Sequence, residues 1–234
     1  MSSTEYVIAP PAVVSLPVAG GGRFPVRRIF CVGRNYLEHI RELGNDEREP
    51  PVFFMKPTDS IVQDGGIVPY PPGTQNLHFE LELVMALKSG GYGIAPDQAL
   101  AHVFGYAIGL DMTKRDVQKA LAGKNQPWEL GKAFEHATPC GPVHPVAQTG
   151  HIESGRIHLT VNGETKQDSD ISQLIWKLPE IIANLSLHYR LQAGDLIFTG
   201  TPHGVGPVVA GDAMVGEIAG LGRLSATVGE AEAA

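Results

Sequence analysis

The sequence predicts a globular chain built mainly of short β-strands, with a few short helices among them. Three observations predict it. Apolar residues make up 43% and charged residues 18% of the 234 positions, a balance that buries a full core. Short apolar runs rich in Val, Ile and Phe recur along the chain, each closed by glycine, proline or a polar cluster, as strands are. Apolar residues at helical spacing occur only in brief stretches. The length suits one domain over residues 27–234, preceded by an N-terminal extension over residues 1–26.

The extension is rich in Pro and Gly, with an edge strand predicted over residues 13–18 and a flexible glycine run, Gly20-Gly21-Gly22, read as a linker. No Gly-Lys-Ser/Thr follows that run, so it is not a phosphate loop. Residues 28–33 form the first core strand. The apolar stripe Leu37, Ile40 and Leu43 then predicts a helix ended by Gly44-Asn45, and the charged stretch up to Pro50-Pro51 has the character of a lid. Residues 52–57 are a second core strand, Ile67-Val68 a short one, and residues 79–88 a third with Glu80 and Glu82 on one face. A proline-initiated helix over residues 96–102 precedes a buried strand over 103–110 that delivers Asp111, and residues 111–118 pass from strand to helix. Residues 157–165 form a hairpin on the Asn162-Gly163 turn, Asp170 caps a helix reaching Ile175-Trp176, and Pro179 opens another reaching Arg190. Residues 195–198 are a strand opening into Thr199-Gly200-Thr201, whose backbone N–H groups and hydroxyls suit a ligand carboxylate. Short strands continue to about residue 228, and the last six residues read as a frayed tail.

Charge and cysteine usage exclude several classes. The net charge is −7 with no Lys/Arg stripe, which argues against nucleic acid as a partner. Cys31 and Cys140 are too few for a disulfide framework and lack zinc spacing, so they read as reduced core thiols. No apolar run of about 18 residues offers a membrane span, and no basic segment leads an apolar one at the N-terminus; the expected compartment is the cytoplasm. The seven-residue recurrence of His144, His151 and His158 is broken by Pro145 and Gly150 and is read as chance.

Side chains alternate along a strand, so Leu81 and Leu83 point one way and Glu80 and Glu82 the other. Two carboxylates on one face, with Asp111 as a third oxygen donor, suit a hard cation rather than zinc. His39 and Glu42, three apart on the predicted helix, are neighbours; a carboxylate beside an imidazole orients it and raises its basicity, as a water-activating base requires. Lys132 sits in an apolar setting, where it either pairs with a structural carboxylate or binds a developing oxyanion. Arg41, Arg48, Lys114 and Lys124 are candidates for a second substrate carboxylate.

Taken together, Arg34-Asn35-Tyr36 with His39 and Glu42, Phe54-Met55-Lys56-Pro57, Glu80-x-Glu82, Gly109-x-Asp111-x-Thr113-x-Arg115-Asp116, Lys132 and Thr199-Gly200-Thr201-Pro202-x-Gly204-Val205-Gly206 resemble the fumarylacetoacetate hydrolase family, in the family's order from about Arg27 onward. The N-terminal stretch and Gln126-Pro127-Trp128-Glu129 are similar to members acting on fumarylpyruvate in gentisate breakdown. The resemblance implies an α+β fold with a β-rich core of mixed sheets, usually dimeric. It implies Mg²⁺ or Mn²⁺ on Glu80, Glu82 and Asp111, and a small dioxo-acid substrate. The activity implied is hydrolysis of a carbon–carbon bond in a 2,4-dioxo acid, fumarylpyruvate going to fumarate and pyruvate. His39, oriented by Glu42, would be the base and Lys132 the oxyanion partner, with Arg115, Gln118 and Thr201 positioning the substrate. An acylpyruvase, an oxaloacetate decarboxylase and a double-bond isomerase or hydratase are the alternatives on this scaffold. Members often carry Lys-x-Phe-Asp where this chain has Lys132-Ala133-Phe134-Glu135.

Overall fold

The computed structural model describes residues 6–36 and 49–231. It opens with a hairpin of β1 (Ser15–Pro17) and β2 (Arg23–Pro25), turned by Gly20, Gly21 and Gly22, all at positive φ. β3 (Arg28–Gly33) and β4 (Val52–Lys56) come next, then β5 (Ile61–Gln63), β6 (Gly66–Tyr70) and β7 (Leu77–Phe79). β8 (Leu81–Leu87) and β9 (Val103–Leu110) pair antiparallel at the centre, joined through α1 (Pro96–Ala99). β10 (Thr113–Lys114) leads into α2 (Arg115–Ala122) and α3 (Glu129–Lys132). β11 (Thr138–Cys140), β12 (His144–Pro145) and α4 (Val146–Thr149) precede the hairpin of β13 (Arg156–Val161) and β14 (Glu164–Asp170). After α5 (Leu178–His188) come β15 (Asp195–Phe198), β16 (Gly206–Pro207), β17 (Ala213–Ile218) and β18 (Gly222–Ala231).

The largest sheet runs β4-β3-β15-β8-β9-β11-β5, with β12 also on β9; a second runs β14-β13-β17-β18-β6; a small one, β10-β7-β16, bridges near the site. Parallel and antiparallel pairs mix, as expected of an α+β fold. Every residue of β8 is buried because the strand has a core on each side. Leu81, Leu83, Met85 and Leu87 pack with Ile157, Leu159, Met214 and Leu224 of the second sheet, whereas Val84 and Ala86 pack with Ile29, Leu196 and Phe198. Glu80 and Glu82 share the second side by the same alternation.

Several expectations need correction. The glycine run is the turn of the β1–β2 hairpin rather than a linker: Leu16 and Phe24 are buried in the second core, and Ala19 N–H donates to Val143 O at 2.9 Å. The expected continuous strand breaks at Glu80 into β7 and β8. Asp170 does cap, its carboxylate accepting from Ser172 N–H, but only a single 3₁₀ turn over Ile171–Gln173 follows, short of Ile175-Trp176. The C-terminal strand continues through Ala231, so residues 229–231 are paired rather than frayed. Cys31 and Cys140 are free and buried, and among the described residues no helix is long and apolar enough to cross a membrane.

Candidate metal centre and active site

The β8–β9 ladder sets Leu81 opposite Leu110 and Glu82 opposite Gly109. One step further, Asp111 N–H donates to Glu80 O at 2.8 Å, so these two residues extend the ladder side by side. Glu82 lies two residues along the same face, and one oxygen from each of the three carboxylates falls within 4.8 Å of the others. Gly109 leaves room for this: a Cβ there would stand 2.4 Å from Phe198 Cε1 and 2.8 Å from Val84 Cγ2. The three carboxylates are buried at the base of a cavity of about 410 Å³ that Arg34, Phe54, His78, Arg115, Gln118, Lys119, Trp128, Lys132 and Thr201 also line.

Three cations face the three acids. Lys132 Nζ bonds Glu80 Oε2 at 2.7 Å and Asp111 Oδ2 at 2.6 Å. Arg115 donates to Glu80 Oε1 from Nη2, to Gln118 Oε1 from Nη1 at 2.8 Å, and from Nε toward His78 Nδ1 at 3.5 Å. Lys56 Nζ stands 2.9 Å from Asp111 Oδ1, yet its protons go to the carbonyls of Met112, Lys132 and Ala137. Asp111 Oδ1 is therefore close to a charge but accepts no hydrogen bond among the described residues. Glu82 is held differently: its Oε2 accepts Gly200 N–H at 2.7 Å. The glycine–threonine turn thus spends one of the donors expected for a ligand carboxylate on a protein carboxylate. Gly200 at φ +103° has no space for a side chain, since a Cβ would meet Asn35 Cβ at 2.8 Å.

Electrostatics divides the acids. Burial pushes the Glu80 carboxyl up, but the charges of Lys132 and Arg115 outweigh it and hold the group at about 2. Among the described residues no cation contacts Glu82; burial raises it well above the ordinary carboxylate range, and Asp111 and Glu80 raise it further. Burial pulls Lys132 down, while Asp111 and Glu80 lift it to a net value of about 12. His78 is lowered to about 4 by burial and by Arg115. It is neutral, so Nδ1 accepts from Arg115 and the Nε2 proton goes to Asn76 Oδ1 at 2.9 Å.

These residues fit a hard divalent cation. The donor set is all oxygen, Asp111 Oδ1 is buried with no hydrogen bond among the described residues, and a cation would let Glu82 ionise at little cost. With every group charged, the three acids cancel Lys56, Arg115 and Lys132, so a divalent cation would leave this cluster with two positive charges, to which Arg34 and Lys119 of the cavity wall add their own.

Of the residues expected at the site, Glu80, Glu82, Asp111, Lys132, Arg115, Gln118 and Thr201 line the one cavity. His39 and Glu42 lie outside the described residues. The two readings of Lys132 meet here: it pairs with two acids and faces the cavity. Thr201 Oγ1 accepts from Gln167 Nε2 at 2.9 Å, which leaves its own proton for a ligand. Sequence reasoning missed Gln167, which is fully buried, accepts Leu81 N–H at 3.0 Å and also donates to Pro202 O at 2.9 Å. Its signal was register: across the hairpin it pairs with Leu159, an inward position. Lys56 was read only within the Phe54-Met55-Lys56-Pro57 motif and given no role, and His78 was passed over because a lone histidine carries no spacing signature.

A family model described as Fumarylacetoacetate (FAA) hydrolase C-terminal matches residues 28–229. A fumarylpyruvate hydrolase from a Ralstonia species is 48% identical over 184 residues, covering 79% of this chain and 95% of that protein. The human mitochondrial oxaloacetate tautomerase FAHD1 is 38% identical over 195 residues, covering 83% and 88%. The crystal structure of fumarylpyruvate hydrolase from Pseudomonas aeruginosa with Mn²⁺ and pyruvate superposes with a TM-score of 0.94 at 50% identity, covering 97% of this chain and all of that one. Fold, sequence and site agree: this chain belongs to the fumarylacetoacetate hydrolase family.

Proposed function

We propose that this protein is a divalent-metal-dependent hydrolase that cleaves the carbon–carbon bond of a 2,4-dioxo acid, with fumarylpyruvate as substrate and fumarate and pyruvate as products. The observation that carries this reading is the convergence of Glu80, Glu82 and Asp111 at the base of a cavity whose other charged walls are cationic. A fumarylpyruvate hydrolase 48% identical over most of both chains, and another solved with Mn²⁺ and pyruvate, support the choice of substrate and ion.

Glu80, Glu82 and Asp111 would hold Mn²⁺ or Mg²⁺, which when bound supplies Lewis acidity toward the keto-acid end of the substrate. Lys132, tied to Glu80 and Asp111, presents an ammonium to oxygen that gains charge as the bond breaks. Arg115, steadied by His78 and Gln118, and the free proton of Thr201 orient carboxylate and keto oxygens. His39, oriented by Glu42, takes a proton from water so that hydroxide adds to the C4 carbonyl. The C3–C4 bond then breaks, the hydroxyl stays with fumarate, and the proton goes to C3 of pyruvate. The chain acts as a homodimer in the cytoplasm, which light scattering at twice the 25.0 kDa chain mass and cell fractionation would check.

Oxaloacetate tautomerases at 36–39% identity favour a second reading, enol–keto conversion of oxaloacetate in the same cavity. Only hydrolysis consumes water, so the two separate on the base. His39→Ala should abolish loss of dioxo-acid absorbance from fumarylpyruvate while calorimetric Mn²⁺ binding persists. Asp111→Asn should lose both. Full hydrolysis by His39→Ala, or oxaloacetate as the only substrate converted, would refute the hydrolase reading.

A further inference from the structure

Four cationic side chains line the cavity, and two of them are paired with its carboxylates at the metal end. Arg115 and Lys132 are bound to Glu80, and Lys132 to Asp111 as well. Arg34 and Lys119 line the same cavity and pair with no carboxylate among the described residues. Of the earlier candidates for a far carboxylate, Lys114 donates to Pro72 O at 2.9 Å and lies over Phe134, and neither it nor Lys124 lines the cavity. Arg41 and Arg48 lie outside the described residues.

Arg34 is built into place. It has φ +59°, a left-handed conformation that costs a non-glycine residue about 1 kcal/mol or more. The backbone thereby turns at the end of β3 and sets the guanidinium over the Trp128 ring, 5.6 Å from its centroid. Trp128 can lie there because residue 33 is glycine: a Cβ on Gly33 would meet Trp128 Cζ3 at 2.9 Å. Trp128 in turn packs on Phe54, with centroids 5.9 Å apart, and Lys132 Nζ sits 5.0 Å from the Phe54 ring. A continuous row therefore runs from the carboxylate cluster through Lys132, Phe54 and Trp128 to Arg34: charge, two aromatic rings, charge.

We infer that Arg34 is the specificity-determining residue of this cavity: it binds the carboxylate at the substrate end remote from the keto acid, with Phe54 and Trp128 as the floor beneath the unsaturated carbons. A planar guanidinium stacked on an indole presents its N–H edge to a carboxylate bidentately, which the point charge of Lys119 cannot do. This inference rests on the dioxo-acid hydrolase reading for its substrate, but its test does not depend on turnover.

The test has a kinetic and a binding arm. For Arg34→Ala the ratio of kcat/KM on fumarylpyruvate to that on acetylpyruvate, which has a methyl in place of the far acid, should fall about ten- to a hundredfold, the worth of a charge-assisted hydrogen bond. Lys119→Ala should leave that ratio where it is. With Mn²⁺ present, calorimetry on wild type should show 2-oxoheptanedioate bound more tightly than 2-oxoheptanoate, and Arg34→Ala should lose that preference while binding oxalate. An unchanged ratio and preference in Arg34→Ala, or a loss that falls on Lys119→Ala instead, would overturn the inference. Wild type that cleaves neither dioxo acid but keeps an Arg34-dependent preference for the diacid would defeat the hydrolase reading and leave Arg34 standing.

Discussion

Among the described residues no side-chain cation pairs with Glu82, and its only protein partner named at the site is the Gly200 N–H. Its raised carboxyl gives the metal-free protein a signed pH dependence. A group whose folded pKa exceeds its unfolded value of 4.5 adds stability that is complete below 4.5 and is lost as pH rises through the folded value. Glu80 runs the other way: held at about 2, it adds stability above 4.5 that is lost as pH falls through 2. After chelation, Glu82→Gln should therefore melt higher than wild type on the alkaline side, with the difference closing toward pH 4.5. Adding Mn²⁺ should raise the wild-type Tm and not that of the variant. A Tm difference that is flat with pH would refute the assignment of the proton to Glu82. The grouping of Glu80 and Glu82 was legible because strand alternation is local; the counter-charges were not, because Lys56, Arg115 and Lys132 come from three separate elements.

At the scale of elements, the β8–β9 pair decides whether the carboxylates meet. Gly109 faces Glu82 across the ladder and lies against Phe198 and Val84. Gly109→Ala would place a methyl inside contact distance of both, and overpacking of this kind costs about 1–3 kcal/mol. The expected result is a lower urea midpoint together with weaker Mn²⁺ binding, because the strands must separate where the acids converge. Unfolding curves and calorimetry on the same sample would check it, and unaltered stability would show that the ladder gives at no cost. Strands with an apolar run and a glycine end were readable in sequence, and β3 and β9 match their expected bounds. The break at Glu80 was not readable: β7 leaves the large sheet to pair with β10 and β16, a long-range choice that no local pattern encodes.

For the whole molecule, the β1–β2 hairpin packs into the second core. It buries Leu16 and Phe24, each worth about 1.5–3 kcal/mol, against a typical total stability of about 5–15 kcal/mol. A chain starting at residue 27 should therefore melt well below the 234-residue chain, as differential scanning calorimetry would read; an unchanged Tm would restore the extension to the status of a dispensable arm. Removing Mn²⁺ or Mg²⁺ from the 234-residue chain by chelation should abolish hydrolysis, and adding the ion back should restore it.

By itself the sequence determined the inventory: a β-rich α+β chain, two acids on one strand face and a third at the end of the next apolar run, a lysine in an apolar setting and a glycine–threonine turn, since each follows from side-chain alternation, turn chemistry or motif order along the chain. Only the tertiary structure decided how those parts are paired. It directs Gly200 to Glu82 rather than to a ligand, leaves Asp111 Oδ1 without a hydrogen bond among the described residues, and stacks Arg34 on Trp128 at the far end of the cavity. Contacts between residues about a hundred positions apart depend on which strands become neighbours, and that is settled by packing the two cores at once rather than by any stretch of chain read alone.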